Sequence, residues 1–161
     1  MPYTIREANA KDADRINELF IQMLQTIYER EDVQGYEQGY LDKFFESGND
    51  LIYVAEVDDL VIGFLSVEGH CEEGTPFIYL DDFSVAREHR GNGVGTKLLR
   101  LAERYAAEHD FENIFLHVEE SNVRARKLYE KFGYEEYETS AGRIKMIKRT
   151  KNGIAGEQGA L

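Results

Sequence analysis

A single cysteine, Cys71, occurs in the 161-residue chain, so neither an intrachain disulfide nor a cysteine metal cluster can form. Apolar runs are short, and none approaches the roughly 18 residues that a membrane-spanning helix needs. No membrane partner is therefore expected. The opening MPYTIREANA lacks a basic start followed by an apolar stretch, so no secretory signal is expected and a cytoplasmic location follows by default. Positive charge is scarce too, at 19 Lys and Arg against 31 Asp and Glu, for a net charge of −12. Phosphate neutralisation needs a clustered basic face, which argues against nucleic acid as the main partner. The shortage is uneven. Between Glu29 and Asp82, fifteen acidic residues stand against two basic ones, Arg30 and Lys43, and the rest of the chain is close to neutral. Such a stretch is either ordinary solvated surface or the mark of a cationic substrate.

Apolar residues make up 42 % of the chain, and a chain of this length can bury most of its apolar surface in one core. We expect a single domain over 1–150 and a mobile tail over 151–161. A strand is predicted over 3–7. Beyond it Ala13, Ile16, Leu19, Phe20, Met23, Leu24 and Ile27 recur at intervals of three and four, as one face of a helix requires, with Asn9 and Asp12 able to cap its start. A second helix is expected over 37–45, where Gly39 weakens the pattern. Residues 51–57 and 60–67 are β-branched and aromatic, are separated by Asp58-Asp59, and read as a hairpin. A longer strand follows over 77–85. The spacing then predicts a helix over 93–109, with Val94, Leu98, Leu101 and Tyr105 as its stripe, and a strand over 114–118. Ser121 or Asn122 caps a further helix that buries Ala125, Leu128, Tyr129 and Phe132 and ends at Gly133. Strands over 134–138 and 143–148 close the chain around Ser140-Ala141-Gly142. This order implies an α/β fold, a mixed sheet flanked by helices on both faces.

Gly91, Gly93 and Gly95, in the segment HRGNGVG at 89–95, fall between a strand ending at Val85 and a helix starting within the same few residues. The first-turn N–H groups of a helix lack internal partners and carry the positive end of its dipole. Backbone without bulky side chains can wrap a phosphate there, and Arg90 adds a fixed charge. The pattern is not the dinucleotide fingerprint, because Thr96 stands where a glycine or alanine is required. Nor is it a P-loop, since Lys97 follows Thr96 rather than preceding it. On its own, such a turn is as often a structural loop as a phosphate site.

The wider context adds to this. YLDDFSVAREHRGNGVGTKLLRLAERYA at 79–106, followed by LHVEESNVRARKLYEKFGYEE at 116–136, resembles the GNAT superfamily of N-acetyltransferases in residue type, spacing and order. The resemblance covers about half of the chain directly. It implies a GNAT-like acyl-CoA N-acyltransferase fold with acetyl-CoA as co-substrate. It also implies that Phe83, Ser84 and Val85 lend backbone groups to the pantetheine arm of coenzyme A. Residues Arg90, Gly91, Asn92, Gly93, Val94, Gly95 and Thr96 would wrap its pyrophosphate. Asn122 and Tyr129 are seven apart, almost two helical turns, and project from one face. In the resembling family that asparagine contacts the cofactor and the tyrosine lies near its sulfur. Members are often dimers, and an edge strand near the C-terminal hairpin is one route to a homodimer.

Acyl transfer from a thioester to an amine needs a neutral amine, stabilisation of the tetrahedral oxyanion, and a proton for the departing thiolate. The N–H of Val85 can donate to the oxyanion, and the Tyr129 phenol, with an ordinary pKa near 10, can protonate the thiolate. By position alone, Tyr129 also reads as an aromatic core residue. For the base, adjacent Asp81 and Asp82 should point to opposite faces of a strand. Resemblance to members with a carboxylate four residues before the strand-ending valine favours Asp81, and members acting on polyamines carry an acidic pair there. His117 on the adjoining strand competes, since an imidazole pKa of about 6.5 suits proton acceptance at neutral pH. A hydrogen-bonded histidine on a strand face is its other reading, and a water chain can replace any single base. Cys71 shows no nucleophile pattern, and His89 and His109 lack partners at ligand spacing, so no metal is expected.

The expected reaction is direct transfer of acetyl from acetyl-CoA to a primary amine. The acidic stretch favours a small cationic amine of polyamine or aminoglycoside type as small-molecule substrate. A protein N-terminus or lysine is the alternative acceptor. A catalytically silent acyl-CoA-binding module is the alternative from another class.

Overall fold

The computed structural model describes residues 2–46 and 48–153. Its strands form one mixed seven-stranded sheet in the order β1-β2-β3-β4-β5-β7-β6. The chain packs as two compact units, one within Met1–Val67 and Asp82–Ala102, the other within Glu68–Asp81 and Glu103–Leu161.

The first unit begins with β1 (Thr4–Glu7), which pairs antiparallel with β2 (Leu51–Val57). Helix α1 (Ala13–Tyr28) lies between them in sequence and follows the apolar spacing. Ile16 and Leu19 from that stripe are fully buried in a core with Ile52, Val54 and Phe64, and each such side chain contributes about 1.5–3 kcal/mol on leaving water. The stripe does not hold to its end, where Ile27 and Tyr28 are exposed. Asn9 and Asp12 cap a short 3-10 turn, Ala10–Asp12, rather than α1 itself: the Asn9 side chain accepts from the backbone and Asp12 answers it in a capping box. Arg6 donates to both Asp12 carboxylate oxygens, at 2.8 and 2.9 Å, and holds that carboxyl below its ordinary pKa. β2 turns into β3 (Leu60–Glu72) through Asp58 and Asp59, both left-handed, as a two-residue hairpin of this kind demands.

The helix expected over 37–45 is not formed. Gly39 takes a left-handed conformation (φ +83°) that an α-helix cannot contain, and only a 3-10 turn, Tyr40–Phe44, follows it. Residues between α1 and that turn carry no regular structure.

β3 and β4 (Thr75–Val85) each run through both units, as does α2 (Val94–Glu108). On α2 the buried stripe is Val94, Leu98, Leu99, Ala102, Tyr105 and Ala106, with Leu101 only half-buried at its border. In the second unit, β4 pairs parallel with β5 (Asn113–Glu119) from Phe77↔Asn113 to Leu80↔Leu116, and β4 continues beyond that pairing to Val85. α3 (Val123–Lys131) is followed by β6 (Glu135–Ser140) and β7 (Arg143–Arg149), a hairpin whose second strand pairs antiparallel with β5. Leu128, expected in the buried face of α3, is 38 % exposed. It lies at the edge of the stripe set by Ala125, Tyr129 and Phe132, one turn and two turns apart on the helix. The expected tail starts with a helical turn over 151–153, in which Asn152 donates to the carbonyls of Ala107 and Phe111. Its remainder, 154–161, lies outside the described residues. No helix among the described residues is long and apolar enough to cross a membrane.

Candidate active site

The first unit brings together the strand end and the glycine turn that the sequence singled out. Gly91 and Gly93 have φ of +83° and +80°, values that side-chain-bearing residues rarely adopt. A Cβ on either would meet open space, so their backbone is bare on the side away from the protein. α2 starts directly after them, at Val94, and the Lys97 N–H already reaches Gly93 O at 3.1 Å. The N–H groups of the preceding residues are those that any helix start leaves without internal partners. Gly95 lets this first turn approach the strand: a Cβ there would sit 3.3 Å from the Phe83 ring. Arg90 is turned back, with Nε donating to Val85 O at 2.9 Å, so its charge is fixed beside the turn. Bare backbone, a helix N-terminus and a fixed guanidinium fit an anionic diphosphate.

A cavity of about 680 Å³ opens in the same unit between the last turns of α1 and the end of β4, where Ser84 and Val85 line it. Its other lining includes Glu29, Glu31 and Glu88 but also Arg30, Arg87 and Arg90. The acidic excess of the surrounding sequence is thus not repeated on the cavity wall. Of the acidic pair, Asp82 accepts a 2.6 Å hydrogen bond from the Tyr36 hydroxyl, and its backbone N–H donates to Ser66 Oγ at 2.8 Å. Asp81 belongs to the second unit and is exposed.

The second unit holds the remaining candidates. His117 Nδ1 and the Tyr79 hydroxyl are 2.6 Å apart. Burial, then the charges of Arg143 and Lys145, lowers the His117 pKa below its ordinary value, so the imidazole is neutral at pH 7. Burial and the charge of Asp81 raise that of Tyr79, which keeps the phenol protonated. Tyr129, on α3, is mostly buried, and burial pushes its phenol up to about 12. Its ring stands edge-on to Tyr134 at 5.8 Å. Asn122 caps α3, its Oδ1 accepting from the Ala125 N–H at 3.2 Å. Its Nδ2 end is the part suited to meet a ligand.

Tyr79 is the residue that the sequence reading passed over. The available signal was weak: a tyrosine two positions before Asp81, on a strand expected near that of His117. Register makes the difference, because Tyr79 pairs with Phe115 and so stands diagonal to His117. Among the described residues no three His, Cys, Asp or Glu side chains gather as a metal site, and Cys71 is an exposed thiol.

Comparison with known proteins bears on the family and the fold. The profile of the acetyltransferase (GNAT) family matches residues 21–134. An uncharacterized N-acetyltransferase of Methanocaldococcus jannaschii is 32 % identical over 156 residues, covering 92 % of each chain. Among solved structures, Arabidopsis thaliana Naa50 in complex with the bisubstrate analogue CoA-Ac-MVNAL has a similar fold, at a TM-score of 0.72 and 21 % identity over 92 % of this chain and 99 % of that one. The PaiA N-acetyltransferase of Thermoplasma acidophilum in complex with coenzyme A gives a TM-score of 0.74 at 18 % identity, with the same coverage.

Proposed function

Because the chain belongs to the GNAT acetyltransferase family and is an acetyl-CoA-dependent N-acetyltransferase, we propose that its acceptor is the terminal α-amino group of a peptide or protein. The thioester supplies the acetyl group when acetyl-CoA is bound. What the chain supplies is a cradle, a proton acceptor and a hydrogen-bond donor.

In this reading, Gly91, Asn92, Gly93, Val94, Gly95 and Thr96 hold the diphosphate with backbone N–H groups, and Arg90 contributes its charge. Phe83, Ser84 and Val85 offer main-chain groups to the pantetheine arm, and the Val85 N–H stabilises the charge that develops on the carbonyl oxygen. Asn122 binds the arm through its amide. His117 takes the proton of the incoming amine. Its useful tautomer carries hydrogen on Nδ1, donates to Tyr79 Oη and leaves the Nε2 lone pair to accept. Tyr129 donates a hydrogen bond to the departing thiolate. Asp81, the carboxylate favoured by sequence, serves at most to tune Tyr79 through its charge.

One observation carries the choice of acceptor: the base available is an imidazole held neutral, below 6.5. An α-ammonium with a pKa of roughly 7.7–8.0 lies closer to such a base than an alkylammonium near 10.4 does, by roughly 2.5 units. Proton transfer from the second costs several kcal/mol more, since each unit is about 1.36 kcal/mol. The charge-balanced cavity wall also suits a peptide better than a polycation. A small cationic amine is the second reading, supported by the fifteen acidic residues between Glu29 and Asp82.

The two separate in a single assay. Purified protein with acetyl-CoA is offered short peptides with free N-termini, N-terminally blocked lysine peptides, spermidine and an aminoglycoside, and released thiol is followed. Free N-terminal peptides should give kcat/KM at least about tenfold above any alkylamine. Faster turnover of spermidine or the aminoglycoside would reverse the assignment.

A further inference from the structure

Asp82 is one of two adjacent carboxylates near the end of β4, and its carboxylate is engaged by a phenol. The Tyr36 hydroxyl donates to Asp82 Oδ2 at 2.6 Å. Tyr36 belongs to the irregular stretch between α1 and the Tyr40–Phe44 turn, a stretch with no helix or strand ladder to hold it. Its start is tied to α1, where Gln25 Nε2 donates to Glu31 O at 3.2 Å, and its later part is tied at Tyr36. The Tyr36 N–H donates to Asn17 Oδ1 at 2.8 Å. Its ring lies between Phe20, stacked at 3.9 Å, and Tyr40, stacked at 5.0 Å. A Cβ on the preceding Gly35 would overlap the Asn17 amide, so the stretch is drawn tightly onto α1. On the other side, Asp82 is itself fixed, its N–H donating to Ser66 Oγ at 2.8 Å.

The same stretch begins with Glu29, Arg30 and Glu31, which line the cavity together with Ser84 and Val85. A cavity wall without regular structure keeps its shape only if it is tied down, and a short hydrogen bond to a carboxylate is among the stronger neutral-to-charged ties available. We infer that Asp82 and Tyr36 form a latch that holds residues 32–39, and through them the cavity-lining residues Glu29, Arg30 and Glu31, in place on the acceptor side, so that both are positioning residues for the acceptor. The inference rests on the reading that the acceptor enters this cavity. It gives the two acidic residues different work, since Asp82 holds protein rather than substrate.

Tyr36→Phe keeps the aromatic stack and removes only the hydroxyl, and Asp82→Asn keeps the size of the side chain and removes its charge. Two measurements apply to both variants of the full chain. Amide hydrogen exchange over 29–39 should quicken about tenfold, with α2 and β5 unchanged. With whichever amine is turned over, the acceptor KM should rise about tenfold while the KM for acetyl-CoA and kcat stay within about twofold. Unchanged exchange over 29–39 would overturn the latch, even if no amine in the panel is acetylated and the acceptor reading fails. Faster exchange with an unchanged acceptor KM would overturn the positioning role. A large fall in kcat for Asp82→Asn with a displaced acid limb of the pH profile would make Asp82 a proton acceptor instead.

Discussion

Replacing Tyr129 by Phe should lower kcat by about 10²–10³-fold and leave the affinity for acetyl-CoA nearly unchanged, the cost of removing one preorganised donor to developing charge. The magnitude follows from the state of the phenol. Burial pushes Tyr129 up to about 12, so it is protonated throughout the working range and always able to donate. Full proton transfer is another matter. An alkyl thiol has a pKa of about 8.5 in water, so giving its proton outright to that thiolate would run uphill by roughly 3.5 units. A hydrogen bond that strengthens as the thiolate forms has no such cost, and it is the role proposed for this residue. The ring remains in Phe, so its contact with Tyr134 is kept, and stability should change little. Activity equal to wild type would remove Tyr129 from the chemistry and return it to the aromatic core. A further consequence is that no basic limb of the rate profile below about pH 10 belongs to this residue.

His117→Gln should cost about 10²–10⁴ in kcat/KM, the range for losing a positioned base. The pH profile identifies the loss. In the proposed role His117 acts as the neutral imidazole, so wild-type activity should rise with pH as His117 gives up its proton. Because the folded pKa is lowered by burial and by Arg143 and Lys145, the midpoint of that rise lies below the ordinary 6.5. The variant should be slow and lack this limb. Tyr79→Phe supplies the contrast: it removes the partner of Nδ1 at 2.6 Å but not the base, so a smaller loss with the limb retained is expected. A His117 variant that keeps both rate and limb would assign deprotonation to bulk water.

Much of the fold was legible because local chemistry dictates it. The period of three and four in α1, the β-branched runs around Asp58-Asp59 and the glycine turn before α2 all stand where their side chains require. The stretch over 37–45 reads as helix between turn-rich flanks, whereas the left-handed Gly39 imposes another path and only the Tyr40–Phe44 turn forms. The site divided in the same way. Its proposed phosphate cradle is a local motif, written in consecutive residues and readable as such. The Tyr79–His117 and Tyr36–Asp82 pairs join residues 38 and 46 positions apart, and strand register or loop packing sets them, which no window of sequence contains. Counting charge leaves the acceptor open, because the cavity wall mixes both signs and does not repeat the acidic excess of residues 29–82.

The glycine turn is the proposed seat of the donor's diphosphate, and titrating acetyl-CoA into wild type and Gly93→Val by calorimetry tests it most directly. Valine at a φ of +80° must deform the turn, and its side chain would stand on backbone that the diphosphate needs bare. Binding should weaken by at least about tenfold, or roughly 1.4 kcal/mol, with the thermal transition of the variant still cooperative. Equal affinity in the two proteins would place the diphosphate somewhere other than the turn between β4 and α2.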